Sequence, residues 1–382
     1  MSDLESLLLV LGVLYVSECV VWVPLGAVSL SAWLDKQWRM RFPGGWTGNS
    51  RGGLLMANPL PPLGSVFVCP SWPISISPIS IYGYTAASVG PSGRAKQTGL
   101  FIPFESLNKI TTDGKGIYAN GQLLCKTTSH AMAGTWAEAI RRLKALPQTQ
   151  RVREIQKLLS ESLDGKEIFR RLGSAEEKRE SLRRLGNMLF ACLFVVTPVI
   201  LWRYGFGLLG LVLLLALYGQ SMTLGFLFRR AHKVLYPNGS ADCFVPFLTV
   251  LLSPPAAIRA HDLLGRHLLE NFHPLAVASV LCSPEVFKDF ARALWLDLHY
   301  PILPVCPSEL PAAMATEEWF RNTCRASVES FLRGKKCKPE EWMRPPAALE
   351  SCNRSYCPRC LAQYTTLEGN CMDCGGRALK PL

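Results

Sequence analysis

Four cysteines near the carboxyl end of this 382-residue chain have the spacing of a metal site. They form two CxxC pairs, Cys357 with Cys360 and Cys371 with Cys374, and ten residues separate the pairs. A CxxC turn directs two thiolates at one centre, and two such turns close a tetrahedral site of the kind that binds Zn²⁺. The spacing therefore predicts one structural zinc ion, with a redox dithiol or an iron–sulfur centre as the alternatives.

The segment around these pairs, residues 356–382, resembles the zinc-ribbon family. The resemblance is carried by the four cysteines, by Pro358 inside the first pair and by Gly375 after the second. Leu361 departs from the family pattern, because many ribbons have glycine at that turn. Four thiolates fill a tetrahedral site and leave no open position for substrate, so the zinc is expected to fold a module at 352–382 without performing chemistry. Cys352 is interpreted as a spare thiol.

A second group of chemically capable residues lies between a ProPro pair and Pro274. It contains His261, Asp262, His267, Glu270 and His273. Six residues between successive histidines correspond to about 600° of helical rotation, so the histidines do not share one helix face as the two in an HExxH motif do. We expect these residues to be solvated at a membrane interface, and catalysis or metal binding there is the alternative. The sequence contains no Walker, GxSxG or HExxH motif, and no catalytic residue is assigned.

Two apolar blocks of the sequence determine where the cysteine and histidine groups lie relative to a membrane. Charged residues make up only 18% of the chain, against about 25% in soluble proteins. Residues 7–34 are long enough to span a bilayer and contain one ionisable residue, Glu18. Residues 187–228 are interpreted as a helical hairpin that turns at Arg203. A carboxyl group inside a span is costly without a partner, so Glu18 is expected to hydrogen-bond locally or to lie at a water defect, and pairing with Gln220 in the third helix is the alternative.

The positive-inside rule gives one topology for these spans. Basic residues follow the first block and flank the second on both sides, which places the N-terminus outside and the main domains and C-terminus in the cytoplasm. Residues 243–258 are apolar but reach ProPro too early for a span, so we interpret them as interfacial or re-entrant.

The formal net charge is +12, and residues 36–186, with 22 basic and 10 acidic residues, account for that excess. This charge favours anionic membrane lipid as a partner, although it also suffices simply to fix topology.

A basic α+β domain is predicted at 51–146. AspGly at 113 and AsnGly at 120 are both type I′ hairpin signals that divide a β-meander, and the isoleucines at 74–81 alternate like one half-buried strand. A helix with Trp136 on its apolar face closes the meander, and Pro147 ends it. The element order over 60–146 resembles a pleckstrin-homology domain, and an unrelated α+β topology is the alternative. Amphipathic and charged helices at 147–186 lead to the membrane.

The predicted fold is an integral membrane protein with three α-helical spans, an α+β cytoplasmic domain built from a β-meander plus helices, a helical cytoplasmic region at 259–345 and a C-terminal zinc ribbon. The predicted function is a membrane-anchored interaction or regulatory protein that docks a cytoplasmic protein partner through the basic domain and the ribbon. The alternative is a membrane enzyme that acts on a lipid-linked or polar substrate through the His261–His273 region. Nucleic acid is an unlikely partner, because the C-terminal region lacks a basic excess or clustered aromatic residues.

Overall fold

Small antiparallel sheets, a set of helices and a carboxyl-terminal module with short strands make up the protein. In the computed structural model, the amino-terminal block is described only at residues 5, 6, 8–10, 12 and 13, which are helical. The other described residues are 54–57, 66–69, 74–89, 95–205, 207–237, 240–265, 267–282, 284–300, 311–374 and 376–382. The predicted span at 7–34, including Glu18, therefore lies almost wholly outside the described residues, and three spans are not confirmed.

Strands between residues 54 and 126 pair with antiparallel neighbours in small sheets. A two-stranded sheet contains β1 (Leu54–Ala57) and β2 (Val66–Cys69). One three-stranded sheet contains β3 (Ile74–Ile76), β4 (Ser80–Val89) and β5 (Ala95–Pro103). Another contains β6 (Ile110–Asp113), β7 (Gly116–Ala119) and β8 (Gln122–Lys126). The second three-stranded sheet is the predicted meander.

The meander's tight turns differ in type. Asn120 and Gly121 have φ of 52° and 83°, as the two central residues of a type I′ turn require, so that prediction is confirmed. At the other turn Asp113 pairs with Gly116, and the loop between them consists of Gly114 and Lys115. Gly114 has positive φ, at 57°, whereas Lys115 does not. The hairpin is present there, but its type I′ assignment is wrong because such a turn needs positive φ at both positions.

The isoleucine run is a hairpin rather than the single strand that its alternation predicts. Ile76 ends β3, Ser80 begins β4, and Pro78 lies in the turn between them. The Ser77 Oγ accepts a hydrogen bond from the Ser80 backbone N–H at 3.1 Å, which closes the turn. Proline suits such a turn because its φ is fixed and it has no N–H to offer a strand. Ile79 is consequently 57% exposed.

Two consecutive helices follow the meander. Helix α1 (His130–Ala145) begins at the N-cap Ser129, whose side chain accepts a hydrogen bond from the Met132 N–H. Helix α2 (Gln148–Ser162) starts after Pro147 and buries Ile155 and Leu159. The apolar face predicted for α1 is confirmed, since its buried residues include Ala133, Trp136, Ala137, Ile140 and Leu143.

The core of this α+β unit is completed by a helix from far along the chain. Helix α11 (Pro311–Gly334) places Phe320, which is 2% exposed, in the same apolar cluster as the sheet residues. Its Thr316 Oγ1 lies 2.6 Å from the Ser80 Oγ in a buried hydrogen bond. The α+β unit therefore draws on residues from both sides of the apolar block at 187–228.

Among the described residues, two helices are long and apolar enough, by length and composition, to cross a membrane. The first is continuous from residue 165 to 204 and comprises α3 (Gly165–Ala191), a π-helical turn (Cys192–Val196) and α4 (Thr197–Tyr204). Pro198 has no N–H to donate to the carbonyl four residues earlier, which explains a π-turn just before it. Helix α5 (Leu208–Leu235) follows the bend at Gly205, whose φ is 76°. The hairpin predicted at 187–228 thus matches two helices.

Helix α6 (Ser240–Leu252) lies antiparallel to α5, because Leu251 contacts the Gly225 position while Phe247 lies beside Phe226 and Arg229. Its Phe244, Val245 and Leu252 are more than 60% exposed. The helix ends at Ser253, where ProPro begins the short α7 (Pro254–Ala257). An interfacial or re-entrant position for 243–258 stays a prediction that these exposed apolar side chains favour.

The chain then packs back against the hairpin. Helix α8 (Ala260–Gly265) belongs to the cluster that α3 and α5 form, while α9 (Pro274–Leu281) and α10 (Pro284–His299) build a separate apolar core with α3 and α11. Gly186 of α3 allows the backbone just before α8 to approach α3 closely, since a Cβ at this position would lie 2.7 Å from the Ile258 carbonyl oxygen. A short 3₁₀ turn (Glu341–Met343) precedes the carboxyl-terminal module.

Candidate metal centre

The structure brings the four predicted cysteines together. The Sγ atoms of Cys357, Cys360, Cys371 and Cys374 all lie within 4.8 Å of one another, and those of Cys360 and Cys371 are 3.7 Å apart. Cys357, Cys371 and Cys374 are buried, whereas Cys360 is exposed. Such a group of thiols could hold one metal ion, and the arrangement is compatible with a ribbon-like module.

Short strands hold the two cysteine turns in place. Strand β9 (Ser355–Tyr356) pairs with β10 (Gln363–Tyr364) and with β13 (Lys380–Pro381). Strand β11 (Asn370–Cys371) pairs with β12 (Arg377–Ala378), and a 3₁₀ turn (Met372–Cys374) continues from β11. Each CxxC pair therefore begins at or just after a strand, which fixes the backbone that presents its thiols.

The turn after each pair uses a left-handed backbone. The Leu361 N–H donates to the Cys357 carbonyl at 2.9 Å with φ of 63° at Leu361, and the Gly376 N–H donates to the Cys371 carbonyl at 3.0 Å with φ of 80° at Gly376. Leu361 is thus in the conformation that glycine adopts most readily, which explains why glycine is common there in ribbons. Gly375, the second glycine of the resemblance, lies outside the described residues.

An arginine inside the first turn links the cysteines to helix α10. Arg359 Nη1 donates to the Cys374 Sγ at 3.6 Å, while its Nε and Nη2 donate to Asp297 Oδ1 at 3.0 and 2.5 Å. Burial raises the pKa of the Asp297 carboxyl to about 6, and the neighbouring Arg359 guanidinium opposes that rise. Sequence reasoning missed this pair, because 62 residues separate its members and no local pattern marks them.

A second contact docks the module on the same helix end. The Lys380 Nζ donates to the Tyr300 hydroxyl at 3.1 Å and lies 5.0 Å from the ring centroid. The Arg377 guanidinium lies 5.6 Å from the same ring. Cations at these distances interact favourably with an aromatic face. The cysteine module is therefore attached to α10 by an ion pair and by aromatic contacts.

The first two members of the histidine group are buried. His261 and Asp262 are each 1% exposed, and Arg259 beside them is 2% exposed. His261 Nε2 lies 3.4 Å from Asp262 Oδ1, and the His261 carbonyl accepts a hydrogen bond from Arg179 Nε of α3 at 3.3 Å. The expectation that these residues are solvated is wrong, because α8 folds back against α3 and α5 instead of remaining at the surface.

Glu270 and His267 form a pair that faces the α+β unit. His267 Nδ1 is hydrogen-bonded to Glu270, and Glu270 also accepts hydrogen bonds from the hydroxyls of Thr128 at 2.7 Å and Ser129 at 2.5 Å. Glu270 is 4% exposed and His267 is half-buried. Because Ser129 is the N-cap of α1, this carboxylate ties the start of α1 to the segment after α8.

His273 has a structural position. Its side chain accepts a hydrogen bond from the Leu275 N–H at 3.2 Å at the start of α9, and its backbone N–H donates to the Ser162 carbonyl at 2.8 Å. Burial lowers the pKa of His273 to about 4. The five residues of the predicted group therefore separate into a buried pair, a pair facing the α+β unit and a helix cap.

A cleft of about 480 Å³ lies beside the His267–Glu270 pair. Its wall also contains His232 near the end of α5 and Asp242 at the start of α6. His261 and Asp262 do not line it. The cleft therefore places His267 and Glu270, two members of the predicted histidine group, on the wall of an accessible cavity.

In the hairpin, Gln220 donates from Nε2 to the Cys192 Sγ at 3.7 Å. Glu18, the alternative partner that the sequence offers for Gln220, lies outside the described residues, so that pairing stays untested.

Comparison with known proteins gives no relative. The chain matches no protein-family model, and neither a curated protein nor a solved structure is detectably similar to it. The zinc-ribbon resemblance therefore depends on the cysteine cluster and its turns, and the pleckstrin-homology resemblance on element order alone.

Proposed function

We propose that the protein is a membrane-anchored interaction or regulatory protein that docks a cytoplasmic protein partner through its basic α+β domain and a structural zinc ribbon. The observation that supports this proposal is the close approach of the four thiols of Cys357, Cys360, Cys371 and Cys374. Four thiolates would complete the tetrahedral coordination of Zn²⁺, so the ion would have no position free for water or substrate. A closed site of this kind stabilises a small fold and leaves its surface available for binding.

The size of the module supports a metal-dependent fold. Its apolar cluster consists of Cys357, Cys371 and Cys374 with two partly buried neighbours, Tyr364 and Leu379. A core this small does not stabilise about 30 residues without a metal or disulfides. In the proposed cytoplasmic location the thiols stay reduced, which favours metal over disulfides.

The remaining parts of the proposal concern the membrane. The two apolar helices supply the anchor, and the positive-inside rule places the ribbon and the α+β unit on the cytoplasmic side. Arg184 and Arg230 lie near the inner ends of the apolar stretches of these helices, where they are exposed and would face anionic headgroups. Membrane lipid is therefore a second proposed partner, while nucleic acid remains an unlikely one.

Metal analysis tests the zinc assignment. The purified full chain should contain one zinc per molecule, and cobalt substitution should give the absorption of a tetrahedral thiolate site. Cys374→Ser should lower zinc affinity strongly, whereas Cys352→Ser, a matched change at an exposed cysteine outside the cluster, should leave it unchanged. Equal zinc affinity in the two variants would exclude the proposed site.

Photo-crosslinking tests the docking role. A photoreactive amino acid at Leu367, an exposed position in the module, should give a discrete protein adduct in native membranes. The adduct should disappear when Cys374→Ser is added and persist with Cys352→Ser. No adduct, or an adduct indifferent to Cys374→Ser, would contradict docking through a metal-folded ribbon.

The cleft at His267 favours the second candidate function, a membrane enzyme that acts on a lipid-linked or polar substrate. His267 and Glu270 form a hydrogen-bonded pair on the wall of an open cavity, an arrangement used in general acid–base catalysis. His261 and Asp262 do not belong to this candidate, because they are buried elsewhere. Turnover of a lipid-linked substrate that is lost in His267→Gln and retained in Cys374→Ser would favour the enzyme over the adaptor.

A further inference from the structure

The segment that contains α6 and α7 leaves the α+β unit and returns to it. Asp242, near the start of α6, accepts hydrogen bonds from the first two backbone N–H groups of α1 at 2.9 and 3.0 Å. Glu270, which follows α8, accepts a hydrogen bond at 2.5 Å from the hydroxyl of Ser129, the N-cap of the same helix. The 27 residues between Asp242 and Glu270 are too few for two crossings of about 20 residues each, so the chain enters and leaves a membrane on one side.

Contacts with α5 show how far α6 reaches along the hairpin. A Cβ added at Gly225 would lie 3.2 Å from Leu251 Cδ1, so the last turn of α6 is level with Gly225. Gly225 precedes the exposed Arg229 by four residues, which is about 6 Å along a helix. The Arg229 guanidinium lies 5.3 Å from the Phe247 ring centroid, and its charge places this contact at the headgroup level. The end of α6 therefore passes that level by about 6–8 Å, while one leaflet contributes about 15 Å of hydrocarbon.

After α6 the chain turns back towards the level at which it entered. The turn begins at Ser253 and continues through α7 to Ile258, whose carbonyl oxygen would lie 2.7 Å from a Cβ added at Gly186 of α3. Gly186 follows the exposed Arg184 by two residues, which is about 3 Å along the helix. The segment thus enters beside α5 and returns beside α3, close to the basic residues of both helices.

The polar groups of this segment are compatible with a lipid environment. Residues 243–258 contain no Asp, Glu, Lys, Arg or His. The Thr249 hydroxyl donates to the Val245 carbonyl at 2.9 Å, and the Ser253 hydroxyl accepts a hydrogen bond from the Ala256 N–H at 3.4 Å. Because hydrocarbon offers no hydrogen-bond partners, polar side chains at membrane depth must bond within the protein, as these two do.

The outer face of α6 is apolar and joins the lipid-facing surface proposed for the hairpin. Phe244 and Leu252, at opposite ends of the helix, are 62% and 63% exposed. On α5 the neighbouring Phe226 is 61% exposed, and its ring centroid lies 6.2 Å from that of Phe247. One continuous apolar surface therefore extends from α5 onto α6, and the occupant that covers the first part also fits the second.

We propose that residues 242–258 form a re-entrant element that enters only the leaflet facing the α+β unit, where the outer face of α6 contacts lipid acyl chains. Phe244 lies at the headgroup level and Leu252 among the acyl chains. This proposal rests on the membrane anchor of the proposed function, to which it adds a second contact with lipid. Because Asp242 holds the start of α1, the element also keeps the α+β unit close to this leaflet.

Fluorescence quenching in liposomes tests the depth of α6. An environment-sensitive fluorescent amino acid replaces Leu252 or Phe244 in the full chain, and the lipids carry a spin label either near the carbonyl groups or near the chain ends. The probe at Leu252 should lose more fluorescence to the carbonyl-level label than to the chain-end label, and it should not respond to iodide in the buffer. The probe at Phe244 should be quenched by the carbonyl-level label and by iodide.

Two further probe positions serve as controls. Tyr218, an exposed residue of α5, precedes Arg229 by eleven residues, or about 16 Å, so its probe should be quenched most by the chain-end label. Leu349 is 81% exposed outside the apolar segments, so a probe there should respond to iodide alone.

Each contrary result has a distinct meaning. Equal quenching profiles at Leu252 and Phe244 would place α6 flat on the surface and overturn the re-entrant element. A probe at Leu252 that neither lipid label nor iodide quenches would show that another protein or a second copy covers this face, which also overturns the proposal. If the chain-end label failed to quench the probe at Tyr218, both the membrane anchor and the re-entrant element would be refuted, whereas the first two results leave the anchor intact.

Discussion

Two glycines on helix α3 give a direct test of how the chain after α6 packs against the hairpin. At Gly186, an added Cβ would lie 2.7 Å from the Ile258 carbonyl oxygen, which is backbone and cannot rotate away. At Gly173, thirteen residues earlier on the same helix, an added Cβ would meet nothing within 4 Å. We therefore expect alanine to have opposite effects at these two positions.

The expected magnitudes follow from two opposing terms. Replacing glycine by alanine within a helix stabilises it by about 1 kcal/mol, and this is the whole effect at Gly173. At Gly186 the same gain is offset by an overpacking cost of about 1–3 kcal/mol, since α3 and the Ile258 backbone must separate. Gly173→Ala should thus raise the free energy of unfolding by roughly 0.5–1 kcal/mol, and Gly186→Ala should lower it by about 1 kcal/mol.

Thermal unfolding in detergent measures this difference. A thiol-reactive dye would report the exposure of buried cysteines above the signal of those already exposed, and Cys243 is among the buried ones, because it is 9% exposed in the folded protein and belongs to the cluster that Ile258 joins. A difference of about 2 kcal/mol between the variants corresponds to a gap in Tm of roughly 4–8 °C for a unit of 150–250 residues. If Gly186→Ala were as stable as Gly173→Ala, the close packing of residues 254–265 on α3 would be refuted.

Three further predictions concern the metal centre and the topology. Chelation of zinc should increase hydrogen exchange in residues 352–382 and leave the hairpin helices protected, and loss of protection throughout the chain would contradict a self-contained module. Arg359→Met should lower the apparent zinc affinity about tenfold, because it leaves the buried Asp297 without its partner. Arg354→Met, at an exposed position, should leave the affinity unchanged. Equal affinities in the two variants would refute a contribution of the Arg359–Asp297 pair to zinc binding. Impermeant thiol reagents added to intact cells should label a cysteine introduced at Arg203 and no residue of the module, and labelling of the module would reverse the proposed topology.

Sequence predicted best where a feature is encoded by adjacent residues. Asn120 and Gly121 determine their turn because both tolerate positive φ, and the apolar face of α1 follows from a helical period within one segment. The cysteine cluster was predictable for the same reason, since each pair requires only one local turn. Pro78 shows the limit of such reasoning: alternation alone could not distinguish one strand from a hairpin, because both place Ile76 and Ile81 in the core.

The contacts that join distant segments were not predictable from a single sequence. Arg359 and Asp297 are 62 residues apart, and Glu270 is 141 residues from Ser129. Nothing in the local pattern around His261 distinguishes a solvated polar segment from one buried beneath α3, because burial is decided by where the chain folds back. The partition of the histidine group therefore required the tertiary structure.

The late contribution of α11 to the α+β core has a consequence for the order of events during synthesis. The sheet and α1 leave the ribosome first, yet Phe320 and Thr316 follow them by more than 170 residues, after both apolar helices. Asp242, whose carboxylate accepts hydrogen bonds from the first backbone N–H groups of α1, also follows both apolar helices. Because domains emerging from the ribosome fold from the N-terminus, this unit must wait with an uncovered face until α11, which follows the hairpin, has been made. A nascent chain stalled at residue 300 should therefore expose the sheet to chaperones, and release of the segment 311–334 should end that exposure.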